Sequence, residues 1–168
     1  MNREEVEAEL HGLHEAGFAW ALGCCRGDRE EAEDVLQEAY LKILDGRARF
    51  AGASAFKTFL FGVIRRTSFE HRRRSWLRGL RLASWSRSAV AAPAAPAGIE
   101  ESHSRLTETL EKLAARQREV LDLVFGHDMT IAEAAQALGI SVGSARVHYE
   151  RGKKNLRRTL GEWRDASD

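Results

Sequence analysis

TIAEAAQALGISVGSARVHYERGKKNLRR, residues 130–158, decides the fold: it spells a helix, a tight turn and a second, basic helix. Thr130 with Glu133 three residues on is a capping box, so the first helix starts there and buries Ile131, Ala134, Ala135 and Leu138. Gly139 stops it, because glycine takes the left-handed conformation that a helix C-terminus favours, and Ile140 plugs the turn. Ser141 caps the second helix. Along it, Val142, Ala145, Tyr149, Gly152 and Leu156 share an inner face, which leaves Ser144, Val147, Arg151, Lys154 and Arg158 outward and Arg146 at the flank. From Ser144 to Leu160 six Lys/Arg stand against one Glu, so the face is lopsidedly cationic and suits a major-groove recognition helix. The amides of Gly143 and Ser144 at the helix start suit a phosphate, and Arg146 and Arg151 are long enough for guanine edges.

Working outward, the chain has 168 residues, 43% hydrophobic and 30% charged, which fits one domain or two small ones. No apolar run reaches membrane-spanning length, and the acidic start lacks a signal peptide's basic and apolar regions, so a cytoplasmic protein without membrane insertion is expected. Cys24 and Cys25 are adjacent, which opposes disulfide geometry, and are read as reduced thiols. With His11 and His14 they lack the spacing of a metal site, and neither metal nor cofactor is expected.

The net charge of +1 hides a segregation along the chain. Residues 1–45 carry four basic and twelve acidic side chains, whereas residues 46–99 carry eleven and one. That layout fits a protein that meets nucleic acid with one surface and a protein partner with another.

Residues 3–25 read as a helix with Val6, Leu10, Leu13, Gly17 and Trp20 or Ala21 as its apolar stripe. Asp28 with Glu31 predicts a second capping box, opening EEAEDVLQEAYLKIL with Ala32, Val35, Leu36, Ala39 and Ile43 inward. On its outside Asp34, Gln37 and Glu38 form one exposed acidic patch, a dock for a basic partner. A third helix is predicted from about Ala53 to Arg74, with Phe56, Phe59, Leu60, Val63 and Thr67 inward. At its far end Arg65, Arg66, His71, Arg72, Arg73 and Arg74 alternate with Phe61 and Phe69 and run into Trp76, and cations interleaved with aromatics suit phosphates and unpaired bases.

From Leu77 the pattern dissolves into an Ala/Ser/Gly-rich run holding both prolines, Pro93 and Pro96, with Trp85 its one large apolar anchor. Leu106, Leu110, Leu113, Val120, Leu121 and Val124 then restore a helical period, with a break near Ala115. The expected fold is all-α: a helical domain over 1–76, a flexible linker over 77–104 and a helix-turn-helix domain over 105–168.

In this order the chain resembles the extracytoplasmic-function class of bacterial RNA polymerase sigma factors, of the sigma-70 family. AEDVLQEAYLKIL resembles the region-two segment that binds the polymerase clamp, and FKTFLFGVIRRTSFEHRRR the segment that melts and reads the minus-ten element. LAARQREVLDLVFGHDMTIAEAAQALGISVGSARVHYERGKKNL is similar to region four, which reads the minus-thirty-five element. The resemblance implies a sigma factor that binds core RNA polymerase, recognises both promoter elements and directs initiation, and it implies an anti-sigma partner. It assigns Asp34, Gln37 and Glu38 to the polymerase. Arg65, Arg66, Phe69, His71, Arg72 and Arg73 go to the minus-ten strand. Ser141, Gly143, Ser144, Arg146, Val147, His148, Arg151 and Lys154 go to the minus-thirty-five duplex. Three positions depart from the family's habit: Arg66 stands where asparagine is frequent, Phe59 where tryptophan is, and His148 where arginine is.

Two other classes fit less well. A stand-alone regulator should carry a ligand or phospho-acceptor domain in place of the basic, aromatic helix end. An enzyme on nucleic acid needs converging carboxylates in a pocket or a Gly-rich phosphate loop, and the sequence holds neither pattern.

Overall fold

The computed structural model describes residues 1–83 and 113–165, with side chains over 1–78 and 113–159. Among these residues there are seven α-helices, one π-helical turn and no strand, so the all-α expectation holds. The chain separates into two compact units, residues 1–96 and 97–168.

The first unit holds α1 (Arg3–Gly12), α2 (His14–Cys24), α3 (Arg29–Leu44) and α4 (Phe56–Ala83). The single helix expected over 3–25 is two. Leu13 leaves helical geometry with φ −101° and ψ 8°, directly after Gly12, where a glycine weakens the helix. A capping box that the sequence reading missed opens α1: the Asn2 side chain accepts from the Glu5 amide, and the Glu5 carboxylate accepts from the Asn2 amide, both at 2.8 Å. At the start of α3 only half of the expected box forms, Asp28 Oδ1 accepting from the Glu31 amide at 3.0 Å.

The core of this unit lies between α2, α3 and α4. Ala32, Val35, Leu36, Ala39 and Ile43 turn inward from α3 as expected. Trp20 on α2 stacks on Phe61 of α4, centroids 5.8 Å apart and planes 9° apart, and its indole N–H donates to the Phe61 carbonyl at 3.0 Å. Phe61 is therefore core, not one of the aromatics of the basic surface. Cys24 and Cys25 are both buried, and burial foremost pushes the Cys25 thiol up to about 12, away from reactivity.

Helix α4 does not stop near Arg74. It continues to Ala83, because residues 75–83 contain no proline and mostly good helix formers, with Gly79 alone opposing. The first seven residues of the expected linker are thus helical, while the rest of it, with Trp85, Pro93 and Pro96, lies outside the described residues, as do Leu106 and Leu110.

The second unit holds α5 (Ala115–Leu121), a π-helical turn (Asp122–Gly126), α6 (Ile131–Leu138) and α7 (Val142–Asp165). Helices α5 and α6 both pack on α7. Gly152 makes the first of these approaches possible, since a Cβ there would lie 2.9 Å from Leu121 Cδ1 and 3.3 Å from Gln117 Cβ. One turn on, Asn155 Nδ2 donates to Gln117 Oε1 at 3.0 Å.

Candidate nucleic-acid interface

The hairpin of α6 and α7 forms as its sequence predicts. Thr130 and Glu133 make the reciprocal capping box, the Thr130 amide donating to Glu133 Oε2 at 2.8 Å and Thr130 Oγ1 accepting from the Glu133 amide at 3.2 Å. Gly139 takes φ +64°, and the Ile140 amide returns to the Ala135 carbonyl at 3.0 Å. Ser141 Oγ accepts from the Ser144 amide at 3.1 Å and donates to Ser144 Oγ at 2.9 Å, which fixes the first turn of α7.

Ala145 and Gly152 are buried on the inner side of α7, with Tyr149 and Leu156 half-buried beside them. Ser144, Val147, Arg151, Lys154 and Arg158 are exposed on the opposite side, and Arg146 is exposed at the flank. Two residues depart from the expected pattern: Val142 is exposed rather than inward, and His148 is half-buried rather than on the open face. Near the turn, exposed Phe125 stacks on Tyr149 at 5.8 Å, and the Lys153 ammonium lies 4.5 Å from the Tyr149 centroid, so Lys153 belongs to a lateral cluster.

The basic end of α4 sorts into three groups. Arg66, Phe69, Arg73 and Trp76 are exposed and recur at three- and four-residue steps, which sets them on one outward stripe, with Trp76 64% exposed. Arg65 and Arg72 flank Phe69, their guanidinium carbons 4.6 and 4.5 Å from its centroid, and Arg65 is only 9% exposed. His71 and Arg74 turn toward α3. His71 Nε2 lies 2.9 Å from Glu38 Oε2, and Arg74 Nη2 donates to both Glu38 oxygens. Arg65 and His71 are therefore not on an open strand-facing surface as expected. Trp76, into which the basic run leads in sequence, joins the stripe because α4 runs past it.

The acidic patch on α3 also divides. Asp34 and Gln37 are exposed beside an open groove of about 620 Å³ that His14, Phe18 and Tyr40 help to line. Glu38 is not available with them: its carboxylate pairs with Lys42 at 3.1 Å, His71 and Arg74. Burial opposes its charged form, but hydrogen bonds from Arg74 and Lys42 prevail and hold it down at about 2. Lys42 extends the network, donating to Thr67 Oγ1 at 3.1 Å and pairing with Glu70 at 2.6 Å.

Among the described residues no group of His, Cys, Asp or Glu is placed to hold a metal ion, and no helix is long and apolar enough to cross a membrane. The chemistry on offer is charge, stacking and groove contact.

The sequence and the fold are similar to those of known proteins. Residues 15–78 match the family description Sigma-70 region 2, and residues 103–156 match Sigma-70, region 4. The chain is 31% identical over 135 residues to the RNA polymerase sigma factor CarQ of Myxococcus xanthus, covering 78% of this chain and 75% of that protein. It is 28% identical over 140 residues to the ECF RNA polymerase sigma factor SigX of Bacillus subtilis, covering 79% and 72%. Its fold resembles that of the sigma factor RpoE solved with the anti-sigma factor NepR from Bartonella quintana, with a TM-score of 0.71 at 22% identity over 94% of this chain and 98% of that one. CnrH, solved with the cytosolic domain of CnrY, gives a TM-score of 0.66 at 22% identity over 96% and 90%.

Proposed function

The chain belongs to the extracytoplasmic-function class of the sigma-70 family, and from that premise we propose how its parts divide the work. It is a sigma factor, a non-enzymatic subunit that recognises promoters and directs transcription initiation. Residues 1–76 would form the region-two-like domain, 77–104 the connection and 105–168 the region-four-like domain, with α4 carrying helix seven residues into the connection.

The observation that carries this division is a second outward basic surface in a unit separate from the helix-turn-helix. Arg66, Phe69, Arg73 and Trp76 lie on one stripe of α4, alternating cations with rings. Such a surface fits the separated minus-ten strand, where phosphates pair with arginine and unstacked bases lie on aromatics. The face of α7 bearing Ser144, Val147, Arg151 and Lys154, with Arg146 at its flank, suits the minus-thirty-five duplex, and the start of α7 at Ser141 and Gly143 suits its phosphates. Asp34 and Gln37 form the polymerase contact, and Glu38 supports that region from within the fold.

The same reading places the protein in the cytoplasm with core RNA polymerase. It also gives the protein an anti-sigma partner, by analogy with RpoE, which was solved with one. Transcription from genomic DNA fragments by purified core enzyme, with and without this protein, tests the proposal. New transcripts from discrete start sites are expected, and an unchanged transcript pattern overturns it.

A further inference from the structure

We propose that Val147 reads the 5-methyl group of one thymine in the upstream promoter element. The inference rests on the assignment of α7 to that element.

Val147 is 46% exposed, in the second turn of a helix whose open face is otherwise polar or cationic. One exposed aliphatic is ordinary on a protein surface. Its position is what sets this one apart. Ser144 lies three residues before it and Arg151 four after it on the same face, so Val147 sits between the capped first turn and the arginine best placed for a base edge. Four residues advance a helix by about 6 Å, which spans one to two base-pair steps. A helix seated for Arg151 to reach a base edge thus brings Val147 against an adjacent pair.

Valine has no donor or acceptor, so it cannot use the hydrogen-bond code of the major groove. The one apolar group in that code is the thymine 5-methyl. Helical valine holds one χ1 rotamer about 90% of the time, so its two methyls present a fixed knob with little entropy left to lose. The knob also selects negatively, since the cytosine N4 amino group would lose water against it without gaining a partner.

The test uses reconstituted holoenzyme, full-length protein with core enzyme, on a promoter recovered from the genomic fragments. Each thymine of the upstream element is replaced in turn by uracil, which removes only the 5-methyl. With the wild-type protein, one position should lose about fourfold in initiation rate, the equivalent of one buried methyl. With Val147→Ala the thymine-to-uracil ratio at that position should fall to about one, while the ratios elsewhere stay put. The ratio is internal to each protein, so a fold defect cannot imitate this result. If Val147→Ala keeps the fourfold ratio, or no thymine responds to uracil, the inference is overturned and the assignment of α7 stands. If wild-type holoenzyme ignores scrambling of the whole upstream element, the assignment itself fails.

Discussion

The Arg74 guanidinium donates to both carboxylate oxygens of Glu38, each at 2.8 Å, and so ties the far half of α4 to α3. With Lys42 and His71 on the same carboxylate, Glu38 is the centre of the polar contact between the two helices. Removing it leaves three cationic or donor groups facing each other across a half-buried seam. Glu38→Lys should therefore cost about 1–3 kcal/mol in urea denaturation. Asp34→Lys, on the exposed neighbouring position, should change stability by about 0.5 kcal/mol or less and instead weaken polymerase binding. Equal stability of the two variants would remove Glu38 from the seam.

The depressed Glu38 carboxyl has a sign in pH. Its folded value of about 2 lies below the ordinary 4.5, so its contribution is complete above 4.5 and is lost as pH falls toward 2. Acid titration followed by circular dichroism should show wild-type helix content falling through that window, with a smaller response in Glu38→Gln.

How much of this was legible depends on which contact decides a residue's place. Spacing along one helix gave the inner faces of α3 and α6 and the outer face of α7, because burial there follows the helix's own period. It did not give Glu38 or Arg65. Each lies at the border of its helix's faces, and its role is set by what the neighbours offer: Arg74 and His71 in one case, the Phe69 ring in the other. The reach of α4 past Arg74 was missed for a different reason. Between Ser75 and Ala83 the sequence reads as a fading pattern because Gly79 interrupts it and the inward stripe of the earlier turns is not continued in the same residue types.

The outward stripe of α4 should act after recruitment. Arg66→Ala with Arg73→Ala is expected to leave holoenzyme assembly intact and to reduce permanganate reactivity of unpaired thymines near the start site, since the stripe is assigned to separated strand. Phe69→Ala should do the same and also loosen Arg65 and Arg72, which rest on its ring. Normal strand opening in both variants would make the stripe ordinary solvated surface.

Asp122, at the start of the π-helical turn, carries a carboxyl that burial raises to about 6, against a smaller opposing pull from Arg118. Gly126 leaves room for it: a Cβ there would lie 2.8 Å from Asp122 Oδ1. A carboxyl raised on folding binds its proton more tightly in the folded state. Its favourable share is complete below 3.8 and is lost as pH rises through 6, so the second unit should be more stable at pH 5 than at pH 7. Carbon-13 NMR of the Asp122 carboxyl should show a midpoint near 6, and Asp122→Asn should slow amide exchange in α5 at pH 7. A midpoint near 4 would mean that the carboxyl is solvated.

Arg151 and Lys154 share the open face of α7 but should fail differently when removed. Arg151 lies one turn beyond Val147 and two beyond Ser144, and its planar guanidinium can donate two parallel bonds to a guanine. Lys154 lies three residues farther along, and its ammonium is a point charge suited to phosphate. Arg151→Ala should cost about 1–3 kcal/mol and relax preference at one base pair, while Lys154→Ala should weaken every sequence alike and lower the salt slope by about one. Because each phosphate contact adds to the salt dependence and a base contact does not, holoenzyme transcription across a library of upstream elements at two salt concentrations is the suitable measurement. If Arg151→Ala scales every library member equally, it is a phosphate contact. Base reading by hydrogen bonds then passes to Arg146, which is exposed at the flank, or to Ser144, whose hydroxyl is already engaged by Ser141.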